Sequence, residues 1–194
     1  MPETLSNSKE QRTPPTENTL PLRGTAPEWT EELIQEEKDI IRRAVGLPVD
    51  FAIEAVTGNI WRTSQAMKNY LESKALFDFD LTFASFSTLF IVWIWGPMET
   101  REIARSQNVT KGTVSSNLDV LERRELLVRK THEKDRRLVV VELTPAGRQL
   151  IERVFPAFNE EAKAITQDLT TEEQVQLASL LRTVMKRLKI LLEK

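Results

Sequence analysis

The sequence predicts a mainly α-helical chain with one small β-wing. Three observations predict it. Apolar residues recur at steps of three and four over most of the chain. Cap-and-stop residues punctuate those stretches. Only two short runs, Leu126–Val128 and Leu138–Leu143, read as extended structure, and a charged segment joins them.

Residues 1–27 hold five of the nine prolines and many Ser, Thr, Asn and Glu. Such a composition buries too little apolar surface to offset ordering entropy, so residues 1–28 read as a flexible tail. A short extra helix is expected within 29–46. Leu33, Ile34, Ile40, Ile41 and Val45 supply its apolar face, and Arg42 and Arg43 lie late, where the helix dipole favours them. Gly46 ends it. Pro48 suits the first turn of a second, long helix with Val49, Ile53, Val56, Ile60, Met67 and Leu71 at helical spacing. Thr82 then reads as an N-cap, with Leu81 and Phe86 placed as a hydrophobic staple. The helix it opens, about 82–95, is apolar nearly all round and is expected at the centre of the core.

Gly96-Pro97 stops that helix. Thr100–Gln107 is a short helix with Ile103 and Ala104 inward. Asn108 can take the left-handed conformation of a tight turn. Thr110 caps the next helix, whose stripe is Val114, Leu118 and Leu121. The hairpin follows. Thr144-Pro145 opens a helix in which Pro156 is expected to produce a kink. A capping box, Thr170 to Glu173, opens the last helix. Its stripe of Leu177, Leu181, Val184, Leu188 and Leu191 has little left to pack on within one chain, and so points to dimerisation.

Net charge is −2, but Met98–Arg148 carries eleven basic against eight acidic residues. A basic island in an otherwise acidic chain suggests a local polyanion site. There is no cysteine and only one histidine, His132. Thiolate nucleophiles, thiol redox sensing and cysteine zinc sites are therefore absent, and a metal site or cofactor is not expected. No apolar signal core precedes residue 27, and the longest apolar run, Leu89–Trp95, is far short of a span, so a cytoplasmic protein is expected.

Two helices joined by a tight turn, the second apolar inside and small-polar outside, suit the major groove of double-stranded DNA. Lys111, Thr113, Ser115, Ser116, Asn117 and Arg123 are the candidate contacts on that second helix. At the hairpin tip, Lys134, Arg136 and Arg137 can reach a neighbouring minor groove or its phosphates. Together these form a winged helix-turn-helix lobe over 81–145, with 47–80 and 146–194 as a helical dimerisation region.

The stretch Thr110–Leu118, then Leu121–Arg129, then Asp135-Arg136-Arg137 and Val141–Arg148 resembles the MarR family of multiple antibiotic resistance regulators. The most specific element is an Asp-x-Arg wing followed at this distance by Leu-Thr-x-x-Gly. The resemblance runs from about Val49 to the C-terminus. It implies a homodimer, usually a repressor, on a pseudo-palindromic operator and often released by a small ligand. It implies that Arg137 enters the minor groove, that Asp135 orients it and that Arg136 meets phosphate. It also implies an effector pocket, for which Trp61, Phe86, Phe90 and Trp93 are the candidate lining. Three departures stand out: residues 1–45 lie outside the usual pattern, Ser116 replaces a larger basic residue, and Asn108 replaces the turn glycine. A competing reading is a winged helix that meets an acidic protein partner without specific DNA binding. An enzyme ranks third, because Asp78 and Asp80 have no nucleophile or metal set to work with.

Overall fold

The computed structural model of the chain describes residues 33–44, 46–131 and 139–192. The chain divides into two compact units, with the boundary between Ser64 and Gln65.

The first unit holds helix α1 (Gln35–Ala44) and the first two thirds of α2 (Phe51–Leu71). Among its described residues, Ile41 and Phe51 are the buried apolar ones. Glu37 is buried as well, and its carboxylate is fully used. It accepts from the Ile34 amide at 3.0 Å, which closes the first turn of α1. It also accepts from Asn59 Nδ2 at 2.9 Å, which ties α1 to α2. A buried carboxylate is tolerated only with such partners. The start of α2 is set by Asp50 and not by Pro48: Asp50 Oδ1 accepts from the Ala52 and Ile53 amides at 2.9 and 3.2 Å. Pro48 lies three residues upstream of the helix.

The second unit contains the core. After α2 the chain widens into a π turn (Glu72–Leu76) and then tightens into a 3₁₀ turn (Phe77–Phe79). Helix α3 (Phe83–Trp95) follows, capped by Thr82, whose side chain accepts from the Ser85 amide. Strand β1 (Met98–Glu99), α4 (Thr100–Gln107) and α5 (Lys111–Arg123) come next. Strands β2 (Leu127–Thr131) and β3 (Val139–Leu143) pair antiparallel from Leu127↔Leu143 to Thr131↔Val139. β1 adds to the other side of β3, giving the order β1-β3-β2. This two-residue third strand has no signature of its own in the sequence. It forms because Gly96, at φ +78°, turns the chain back alongside β3.

Helix α6 (Pro145–Ile165) opens at the expected Thr144 cap and passes through Pro156 without interruption. Its Phe155 and Phe158 meet Phe86, Phe90 and Trp93 of α3, with the Phe86 and Phe158 rings stacked at 4.3 Å. Helix α7 (Thr171–Leu192) opens at the expected Thr170/Glu173 capping box and has no buried residue. Among the described residues no single helix is long and apolar enough to cross a membrane.

The wing and α6 meet at one joint. The Thr144 amide donates to Leu126 O at 3.1 Å, and its hydroxyl donates to Glu125 O at 2.7 Å. That same hydroxyl oxygen accepts from the Gly147 amide at 3.0 Å. A Cβ on Gly147 would stand 1.8 Å from Leu126 O, inside the range any real contact allows. The Leu-Thr-x-x-Gly pattern is therefore a packing rule: Thr caps and anchors, and Gly lets the first turn of α6 lie on the backbone of Leu126. We expect Gly147→Ala to lower the unfolding free energy by about 3 kcal/mol, since the obstruction is backbone. Urea denaturation measures it, and a change within about 0.5 kcal/mol, the range of an ordinary surface substitution, contradicts the assignment.

Candidate nucleic-acid interface

Helix α4 opens with a capping box between Glu99 and Glu102 and closes on Asn108 at φ +53°, as the turn requires. The Val109 amide returns to Ala104 O at 3.1 Å, a Schellman closure built on asparagine. Thr110 then caps α5, its hydroxyl oxygen accepting from the Thr113 amide at 3.1 Å. Val114, Leu118 and Leu121 are buried, so the inward direction of α5 is fixed.

At about 100° per residue, the direction opposite that stripe is held by Gly112, Ser116, Asp119 and Arg123. All four are exposed. Thr113 and Lys111 are exposed on the two flanks. Three consecutive residues sweep about 200° around a helix, so Ser115, Ser116 and Asn117 cannot share a face. Ser116 points outward, with its hydroxyl resting on Gly112 O at 3.2 Å. Ser115 is half-buried, and its carbonyl accepts from Arg129 at 3.3 Å. Asn117 corrects the sequence reading. It faces α3, where its Nδ2 donates to Ala84 O at 3.1 Å and to Thr88 Oγ1 at 2.7 Å. Lys134, Asp135, Arg136 and Arg137 lie outside the described residues, as does His132.

Two arginines absent from the sequence-based site shape the interface without facing outward. Arg129, on β2, pairs with Asp119 and, at 3.5 Å, with Glu122. Its amide also donates to Glu122 Oε1 at 3.2 Å. Both acids belong to α5, and Asp119 stands on the outward face. Arg124 donates to Phe79 O at 3.1 Å and to Asp80 O, fastening the end of α5 to the 3₁₀ turn. The basic run Arg123-Arg124 therefore splits: Arg123 points outward and Arg124 serves packing.

The aromatic candidates separate as well. Phe86 is enclosed by the stack on α6, which leaves it no face for a ligand. Phe90 and Trp93 are half-buried at the edge of that stack. Trp61 belongs to the first unit and is 64% exposed.

Residues 81–139 match the family model described as MarR family. The HTH-type transcriptional regulator YwaE of Bacillus subtilis is 32% identical over 157 residues, spanning 79% of this chain and 92% of that one. The chain belongs to the MarR family. It is a DNA-binding transcriptional regulator with the mainly helical, small-winged fold that the sequence predicts. BpsR of Bordetella bronchiseptica, solved in a study of regulation of its DNA binding by 6-hydroxynicotinic acid, aligns with a TM-score of 0.63 at 27% identity. That alignment covers 68% of this chain and 99% of BpsR. A cysteine-to-serine mutant of MarR from E. coli, complexed with operator DNA, aligns with a TM-score of 0.63 at 25% identity, over 69% of this chain and 95% of that one.

In this MarR-family regulator an acid on the outward face of α5 would repel phosphate unless a cation balanced it. Arg129 supplies that cation. We expect Arg129→Ala to weaken DNA binding by about fivefold, the effect of roughly 1 kcal/mol, which lies between the ~0.5 and ~2 kcal/mol that two charges about 8 Å apart feel in water and near a protein surface. The difference from the unmodified protein should narrow as salt rises, because exposed charges are screened. Adding Asp119→Asn should restore affinity. Anisotropy titrations at two salt concentrations check both, and an unrecovered double variant contradicts charge compensation.

Proposed function

We propose that the chain is a sequence-specific repressor that binds a pseudo-palindromic operator as a homodimer and is released by a small aromatic ligand. The outward face of α5 beside the β2–β3 wing is the observation that carries this reading. Helix α5 offers exposed short hydrogen-bonding and basic groups, Ser116 and Arg123 on the side away from its apolar stripe and Thr113 and Lys111 on the flanks. A major groove admits one such helix. Arg137 reads the adjacent minor groove, whose narrow, A·T-rich form concentrates negative potential. Asp135 orients it, and Lys134 and Arg136 neutralise phosphates.

The dimer reading is supported by α7. Leu177, Leu181, Val184, Leu188 and Leu191 recur at steps of four and three on one face, and each is between 36% and 50% exposed. A two-fold axis through paired α7 helices sets two α5 helices one DNA turn apart. Repression follows from occupancy, since a dimer covering successive grooves excludes other proteins from that stretch. Release follows from population shift: a ligand that prefers a spacing unfit for DNA draws the protein off it. The regulation of BpsR by 6-hydroxynicotinic acid supports a planar aromatic effector. Phe90 and Trp93, half-buried at the edge of the aromatic stack, are suited to contact one.

We expect Arg137→Ala to weaken binding to an operator selected from random DNA by about 10- to 100-fold with the fold intact. Circular dichroism and anisotropy check it, and an unchanged affinity removes Arg137 from the contact set. We expect Leu181→Glu with Leu188→Glu to convert the dimer to monomer in sedimentation velocity. A persisting dimer places the interface elsewhere.

A further inference from the structure

Helix α3 faces two ways. Phe86, Phe90 and Trp93 meet the rings of α6. On the side facing α5 and α4, a largely apolar helix carries Ser85 and Thr88, three apart and both buried. Thr82 Oγ1 donates to Ser85 Oγ at 3.0 Å, and Ser85 Oγ donates to Asn117 Oδ1 at 2.9 Å. Asn117 Nδ2 spends its two protons on Ala84 O and Thr88 Oγ1. Gln107 Nε2, from the last residue of α4, completes the set on Thr88 Oγ1 at 2.8 Å. The chain of bonds links α3, α4 and α5, and every polar group of the Asn117 side chain is used.

Its position matters more than its strength. Val114, Leu118 and Leu121 hold α5 against the core by contacts that have no preferred direction. Such a stripe fixes which side of α5 faces inward, but it sets the helix rotation less strictly than directional bonds do. A turn of about 20° carries atoms at the helix surface, some 5–6 Å from the axis, through about 2 Å. That is enough to break the alignment a hydrogen bond to a base edge needs. Hydrogen bonds of the Asn117 amide in three directions resist such a turn along the length of α5 that faces α3, because they too are directional, and they add to the ties of Arg124 and Arg129.

We propose that Asn117 is a positioning residue: through Ser85, Thr88 and Gln107 it sets the rotation of α5, and so decides how well the protein tells its operator from other DNA. The proposal rests on α5 being the base-reading helix. Phosphate contacts tolerate small shifts, so breaking the cluster lowers specific binding and spares nonspecific binding.

The test uses the full-length chain, an operator duplex selected from random DNA, and a scrambled duplex of equal length at the same salt. For Asn117→Leu, operator affinity is expected to fall at least tenfold, with affinity for the scrambled duplex within twofold. The operator-to-scrambled ratio therefore drops about tenfold. A second variant, Asn117→Leu with Ser85→Ala and Thr88→Val, replaces the polar groups by apolar ones and leaves none of those three side chains seeking a partner. It is expected to recover thermal stability while its ratio stays low. It also carries the test should Asn117→Leu alone fail to fold. A folded Asn117→Leu protein with an unchanged ratio overturns the proposal. A triple variant that regains the full ratio along with stability overturns it too, since a purely structural role restores both together. If the unmodified chain shows no preference between duplexes, the base-reading assignment of α5 is what fails.

Discussion

The joint between Thr144, Gly147 and the Glu125–Leu126 backbone is the constraint on which the DNA-binding lobe depends. Four elements meet there: α5 has just ended, β2 is about to begin, β3 has just ended and α6 begins. Glu125 adopts φ +57°, a conformation that an ordinary side chain enters at a cost of about 1 kcal/mol. Its carbonyl is then turned to meet the Thr144 hydroxyl. The Leu126 amide closes α5 on Leu121 O, and the Leu126 carbonyl holds the Thr144 amide. One threonine and one missing side chain thus fix where the wing stands relative to α6. Any movement of the first turn of α6 is felt at the end of α5.

Helix α3 carries the complementary role. Its aromatic side is held to α6 by ring contacts, and its small polar side is held to α5 by hydrogen bonds. Ring contacts bury apolar area in offset or tilted pairs, whereas hydrogen bonds need aligned donors and acceptors. Arg124 and Arg129 add two further ties on α5, one to the 3₁₀ turn before α3 and one from β2. Helix α5 is held from three sides and keeps one side clear.

Much of this was legible in the sequence because caps are local. Thr82, Thr110, Thr144 and Thr170 each set a helix start through bonds to residues three further on, so residue type and spacing suffice to find them. Asn108 was legible for the same reason. Glu125 was not, because neither glycine nor asparagine marks its left-handed turn. Pro48 misled because Asp50, two residues later, offers a better cap. Asn117 misled because a polar residue beside Ser116 looks like part of one polar face, and only the direction of the Val114–Leu118–Leu121 stripe shows that it is not. Ser85 and Thr88, three apart in a largely apolar helix, were the visible trace of what it binds.

By itself the sequence determined the helical class, the helix-turn-helix and its wing strands, and the family, because periodicity, capping and the Leu-Thr-x-x-Gly pattern are properties of neighbours along the chain. Only the tertiary structure decided what each polar residue of α5 and β2 is for. Asn117, Arg124 and Arg129 find their partners 7 to 45 residues away. Direction around a helix and distance across a fold have no signature in local spacing.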